Sequence, residues 1–131
     1  MKSKDHDRLG FLALALFAAL GLVLELLHGL RVTAYLSEAH ATRRLLFTLA
    51  HAHGVLLGLV NVAFAVVMRA HAIEDARAST LLKAATMLVP GGFLIGGAVL
   101  MGEDPNPLVL LSGAGGVCLV IACARVWRTL R

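Results

Sequence analysis

Four long apolar runs, separated by short polar breaks, set the limits on what this chain can become. They extend from about Leu9 to Leu30, Leu45 to Met68, Leu82 to Met101 and Pro107 to Ala124. About 20 apolar residues in a helix cross the roughly 30 Å hydrocarbon core of a bilayer. Inside that core only helices and closed barrels satisfy every backbone N–H and C=O. The runs show no period-two alternation, and a barrel needs at least about eight strands, so helices are expected. Composition agrees: 59% of the 131 residues are apolar and 15% charged, against about 45–50% and about 25% in soluble domains. The same excess of apolar residues excludes intrinsic disorder.

The breaks fix the connectivity. Ser37-Glu38-Ala39-His40-Ala41-Thr42 reads as a short turn, His71 to Ser79 is polar, and Gly102-Glu103-Asp104-Pro105-Asn106-Pro107 is a turn signal. Pro107 suits the first position of a helix. Loops this short hold successive helices antiparallel. The expected fold is therefore all-α: a single four-span domain, residues 1–131, built as an integral membrane up-down four-helix bundle. Lys2, Lys4, Arg8, Arg69, Arg77, Lys83, Arg125, Arg128 and Arg131 fall on one side, against Arg31, Arg43 and Arg44 on the other. Lys and Arg concentrate on the cytoplasmic side of a membrane protein. Both termini are thus expected in the cytoplasm, with the chain in the cytoplasmic (inner) membrane. The net charge of +4 then reports topology and contact with anionic lipid. No nucleic-acid-binding motif accompanies it.

The basic N-terminus followed by an apolar run resembles a secretory leader in outline. No small-x-small site leads into a soluble domain, so it is read as the first span. Cys118 and Cys123 are spaced by five, which is not a Cys-x-x-Cys redox pair. They are expected to be small buried packing residues. His6, His40 and His71 lie in the tail and loops, where solvated side chains are expected.

Ionisable groups within a span are costly and usually face the protein interior. Glu25, His28 and Arg31 share one stripe of the first span, which Tyr35 extends, and the second span carries His51, His53 and Asn61. At about 1.5 Å per residue, Glu25, His28, His51 and His53 fall in the outer half of the bilayer and are expected to converge. His51 and His53 are rotated apart by about 200°. His51 shares a face with Gly54, Gly58 and Ala65 and points into a close helix contact; His53 faces another helix, a bound group or a second subunit.

Neutral imidazole is a common ligand of haem iron and transition metals. The candidate ligands are His28, His51 and His53, with Glu25 orienting an imidazole. Arg31, Arg43 and Arg44 would pair with acidic groups such as haem propionates. Haem b or a transition metal, used for electron transfer or sensing, is one reading. A structural or assembly role, with these groups as interhelical glue, is a second. Proton-coupled transport through Glu25 is a third. Glu25-x-x-His28 matches half of a di-iron motif, but the other spans hold no carboxylates. Pro90-Gly91-Gly92, Gly96-Gly97 and Ser112-Gly113-Ala114-Gly115-Gly116 give the last two helices small surfaces, for close packing or as a flat wall for a planar ligand. Nothing resembles an activated nucleophile, so catalysis is not indicated.

Three resemblances add to this. Leu49-Ala50-His51-Ala52-His53-Gly54-Val55-Leu56-Leu57 resembles the haem-ligating helices of haem–copper oxidase subunit I. That resemblance implies haem ligation by His53, or by the His51/His53 pair, without the copper site. His28-Gly29-Leu30 closing the first span, a histidine opening the second and the Gly-rich fourth span resemble a family of small uncharacterised bacterial four-span membrane proteins. That likeness implies architecture alone. Glu25 resembles the first-span glutamate of small multidrug transporters. As partners, the sequence points to the lipid bilayer and to a homo-oligomer or larger membrane complex.

Overall fold

A computed structural model describes residues 2–99 and 106–131. Its helices are α1 (Lys2–Gly29), α2 (Thr33–Leu36), α3 (Ala41–Ala70), α4 (Ala76–Ala98) and α5 (Leu110–Thr129), with 3₁₀ turns at Glu38–His40 and Pro107–Val109. No strand occurs among the described residues. The helices α1, α3, α4 and α5 are long and apolar enough to cross a membrane. The chain is an all-α four-helix bundle with the make-up of a multi-pass membrane protein.

The helices overrun the apolar stretches that announce them. The helix α1 begins seven residues before Leu9, and α5 continues past Ala124 to Thr129. The third span was expected to reach Met101; its helix is described to Ala98, and the Gly102–Pro105 part of the expected turn lies outside the described residues. Beyond it, Asn106 Oδ1 accepts the N–H of Leu108 at 3.0 Å, and Pro107 opens the turn that leads into α5. The helices α1 and α3 stop by the same device. The N–H of Val32 reaches the carbonyl of Leu27, and that of Ile73 reaches Met68, at 3.1 Å each. The residue before each donor, Arg31 (φ 50°) and Ala72 (φ 49°), adopts the left-handed conformation that such a helix ending requires.

Each helix packs chiefly on its neighbour in the sequence: α1 on α3, α3 on α4, α4 on α5. The first contact is close because glycine lines it. A Cβ at Gly58 would stand 2.9 Å from the carbonyl oxygen of Gly10, and one at Gly54 would collide with the Phe17 ring. Small residues allow such an approach between spanning helices, where dispersion rather than hydrophobicity drives association. Across α4 and α5 the same holds at Gly92, where a Cβ would meet the Ser112 nitrogen at 2.6 Å. Ser112 Oγ donates to the carbonyl of Val89 at 3.1 Å, beside Pro90. The helix α4 runs unbroken through that proline, although the ring removes one backbone donor.

All three ion pairs among the described residues gather at the end that holds both termini. Asp7 meets Arg69 at 2.6 Å, Asp5 meets Lys83 at 3.5 Å and Asp75 meets Arg125 at 2.8 Å. They tie α1 to α3, α1 to α4, and the α3–α4 connection to α5. Asp75 also caps α4, accepting the N–H groups of Arg77 and Ala78 at 2.9 and 3.0 Å. The Ala78 N–H first, and then the Arg125 guanidinium, hold its carboxyl below the ordinary carboxylate range.

Two outcomes are expected. A depressed folded-state pKa stabilises above the unfolded value, about 3.9 for Asp, and that contribution is lost as pH falls through the folded value. Thermal unfolding in detergent should therefore show a smaller acid loss for Asp75→Asn than for the native chain. Gly58→Leu should force α1 and α3 apart at a cost of about 1–3 kcal/mol, read as a lowered unfolding midpoint by circular dichroism.

Candidate functional site

The bundle places Glu25, His28, His51 and His53 in separate surroundings. The inward stripe of α1 is Gly10, Ala13, Phe17, Gly21 and Leu24. Ala13 and Leu24 are buried, and Gly10 and Gly21 abut α3. Glu25 comes one residue after Leu24, hence about 100° around the helix, and is exposed. It lines a shallow depression with Leu22, Leu26, Gly29 and Leu30. The 28 residues of α1 extend about 42 Å at about 1.5 Å each, well beyond the roughly 30 Å hydrocarbon core. Glu25 stands four residues from the end of α1.

His28 is also exposed. Its Nδ1–H donates to Leu24 O at 3.0 Å, and its ring meets that of Tyr35 edge-on at 5.1 Å. The Tyr35 hydroxyl is buried without a hydrogen-bond partner among the described residues, and burial raises its pKa against the opposing influence of Arg44.

His51 and His53 diverge, as their spacing requires. His51 Nδ1–H donates to the carbonyl of Phe17 on α1 at 2.6 Å, and its ring packs on Gly21. His53 turns toward α4 and α5. Its Nδ1–H donates to Leu49 O at 2.9 Å, and its ring lies 5.2 Å from that of Phe93. Glu25, His28, His51 and His53 are thus not brought together. No group of three or more His, Cys, Asp or Glu side chains placed to hold a metal occurs among the described residues.

The arginines of the same end act largely on the backbone. Arg43 Nε donates to Gly97 O at 3.2 Å, in the last turn of α4, where a cation complements the helix dipole. Arg44 donates to Tyr35 O and Ser37 O at 2.8 and 2.5 Å, holding the α1–α3 connection. Arg31 is exposed.

His53 opens onto a groove of about 530 Å³ between α3, α4 and α5. Leu57, Val89 and Phe93 line it on one side, and Ser112, Gly113 and Gly116 on the other. A Cβ at Gly113 or Gly116 would touch nothing within 4 Å. The small residues of α5 therefore divide by face. Gly115 packs on Val89 and Leu88 of α4, while Gly113 and Gly116 leave a flat wall. With Nδ1–H directed at Leu49 O, Nε2 is the ring nitrogen that a neutral His53 would offer as a ligand.

Sequence reasoning missed a second cluster. His6 was expected to be solvated; it is fully buried, as is Asn61, with Ser79 and Thr86 nearly so. Asn61 Nδ2 donates to Leu57 O at 2.8 Å and to Thr86 Oγ1 at 2.6 Å, so its Oδ1 faces His6 as an acceptor. His6 Nδ1 lies 2.7 Å from that oxygen and must carry the proton. Neutral His6 then accepts at Nε2 from Ser79 Oγ, 2.8 Å away. Thr86 completes the chain by donating to Leu82 O at 2.8 Å. The ring of Phe64 meets that of His6 edge-on at 4.7 Å. The available signal was helical phase: His6, Gly10 and Ala13 follow i, i+4, i+7, so extending α1 backward puts His6 on its packing stripe.

The remaining polar side chains differ less from expectation. His40 is half-buried and pairs with Ser37 Oγ at 2.8 Å, and His71 is exposed. Cys118 is half-buried, but Cys123, expected to be a buried packing residue, is exposed because it stands on the open side of α5.

Comparison with protein-family models, curated proteins and solved structures finds no match.

Removing one member of a buried polar set strands its partners at about 1–3 kcal/mol. His6→Leu should lower stability by about that amount. The double variant His6→Leu/Asn61→Leu should lose less than the sum of the two single changes, because each single change strands the other residue. Denaturant unfolding of the four proteins in detergent checks this.

Proposed function

We propose that this small membrane protein binds a flat, largely apolar prosthetic group in the groove beside His53, with haem b as the group. The observation that carries the reading is the His53 imidazole: its Nδ1 is committed to Leu49 O, and its ring lines a groove walled by Gly113 and Gly116. A backbone carbonyl holding Nδ1–H is the usual arrangement for an imidazole that ligates through Nε2. Haem fits this donor set better than a bare transition metal. The macrocycle supplies the iron's equatorial nitrogens, so one protein nitrogen suffices, whereas a bare metal site collects three or four protein ligands. Val109 of the 3₁₀ turn and Leu110 at the start of α5 also line the groove, which gives the acidic edge of such a group a path toward the membrane surface. Electron transfer or sensing is the use this reading implies.

A role as a structural or assembly subunit, alone or in a homo-oligomer, is the second reading. One observation favours it: His6, His51 and Asn61 spend their polar atoms joining helices. The transport reading has less support, since Glu25 stands on the outward side of α1.

Titration of the detergent-solubilised protein with haem decides between them. A saturable Soret shift is expected, lost in His53→Ala and kept in His28→Ala. A native protein that gives no saturable shift overturns the haem reading and leaves the structural one.

A further inference from the structure

The end of the bundle that holds both termini contains a titratable ring sealed from solvent. His6, in the second turn of α1, is fully buried and joins three helices through its two ring nitrogens. Nδ1–H donates to Asn61 Oδ1 on α3 at 2.7 Å, and Nε2 accepts from Ser79 Oγ on α4 at 2.8 Å. A neutral ring fills both roles. A proton added at Nε2 would turn that acceptor into a donor. Ser79 Oγ bonds to no other group among the described residues, so its own hydrogen would lose its acceptor. The charges around His6 give an imidazolium little support. They are Asp5 and Asp7 on α1, Arg69 on α3 and Lys83 on α4. Arg69 already holds Asp7, Lys83 holds Asp5, and Arg125 holds Asp75. Lys4, Arg8, His71, Glu74 and Arg77 of the same end are exposed. His6 also meets α4 in its first turn, at Ser79, where the helix dipole is positive and disfavours a cation.

We propose that His6 makes this junction an acid-sensitive latch: on acidification its imidazole takes a proton from water at Nε2, and the first turns of α1 let go of Asn61 and Ser79. The release is local. Lys4, Asp5 and Arg8, on the same turns, are exposed, so a small outward movement brings His6 to water. Close packing of α1 on α3 runs onward from Gly10 to Gly21 and keeps the rest of the helix docked. Once released, the imidazole takes its proton near the ordinary histidine value of about 6.5, whereas the docked ring has no place for it. The latch therefore holds above about pH 6.5 and weakens below it, by about tenfold per pH unit. Between about pH 7.5 and about pH 5 the released state gains about thirtyfold. The latch does not involve the His53 groove, so it stands or falls independently of haem binding.

Amide hydrogen exchange of the detergent-solubilised protein reads the latch at residues His6 to Gly10, whose N–H groups bond within α1. Exchange is divided by the rate of an unstructured peptide at each pH, which leaves the opening equilibrium. In the native protein, opening of these amides should rise about thirtyfold from about pH 7.5 to about pH 5. The amides from Ala13 to Gly21 should stay protected throughout. His6→Gln keeps a neutral donor and acceptor at the position but cannot take the proton, and its opening should not change with pH. Native opening that is independent of pH overturns the proposal, as does the same rise in His6→Gln. Loss of protection along the whole of α1 at pH 5 overturns it too, because the release would then be general unfolding. Should His6→Gln fail to fold, NMR of the native protein with isotope-labelled histidine decides, the ring in contact with Phe64 being that of His6. A ring that stays neutral until protection of residues 6–10 is lost supports the latch. An imidazolium signal while those amides remain protected overturns it.

Discussion

Hydrocarbon offers a polar atom nothing to bond to, and the interior of this bundle is arranged around that refusal. Asn61 shows it most fully. Its amide bonds to Leu57 O, Thr86 Oγ1 and the His6 ring, so three helices meet on one side chain. The cost of stranding any of these groups makes the set a fastener of relative helix position. It acts together with the Gly10–Gly58 approach, which brings the α1 and α3 backbones near enough for His6 to reach Asn61. Glycine supplies the proximity and the amide supplies the register.

Most of the fold could be read from the chain because lipid allows few alternatives. The lengths of the apolar runs fixed the number of helices, and the short breaks fixed their antiparallel order. Helix ends were less legible. Hydropathy marks where the chain meets hydrocarbon, whereas a helix stops where its backbone is capped. Hence α1 begins at Lys2 rather than near Leu9, and α4 begins where Asp75 captures two N–H groups.

The polar residues were read unevenly, for the same reason. The divergence of His51 from His53 follows from helical rotation alone and holds. The convergence expected of Glu25 with the histidines rested on depth, and depth does not say which way a side chain points. Leu24, not Glu25, occupies the inward stripe of α1. His6 was misjudged in the opposite sense: it was placed in a solvated tail because Lys4, Asp5, Asp7 and Arg8 surround it. Those charged neighbours point elsewhere on the helix, and only the i, i+4, i+7 phase with Gly10 and Ala13 reveals the inward direction.

The serial packing of α1 on α3, α3 on α4 and α4 on α5 has a consequence for biogenesis. Each span finds its main partner in the one synthesised just before it, so assembly can keep pace with translation and long-range search is short. Besides the Asp5–Lys83 ion pair, the exception is the reach of His6 to Ser79, across 73 positions of the chain. Until α4 is threaded into the membrane, that imidazole lacks half of its bonding. Arrival of the third span is therefore the step that locks the nascent protein, and a chain stalled before it would hold an unsealed polar face toward lipid.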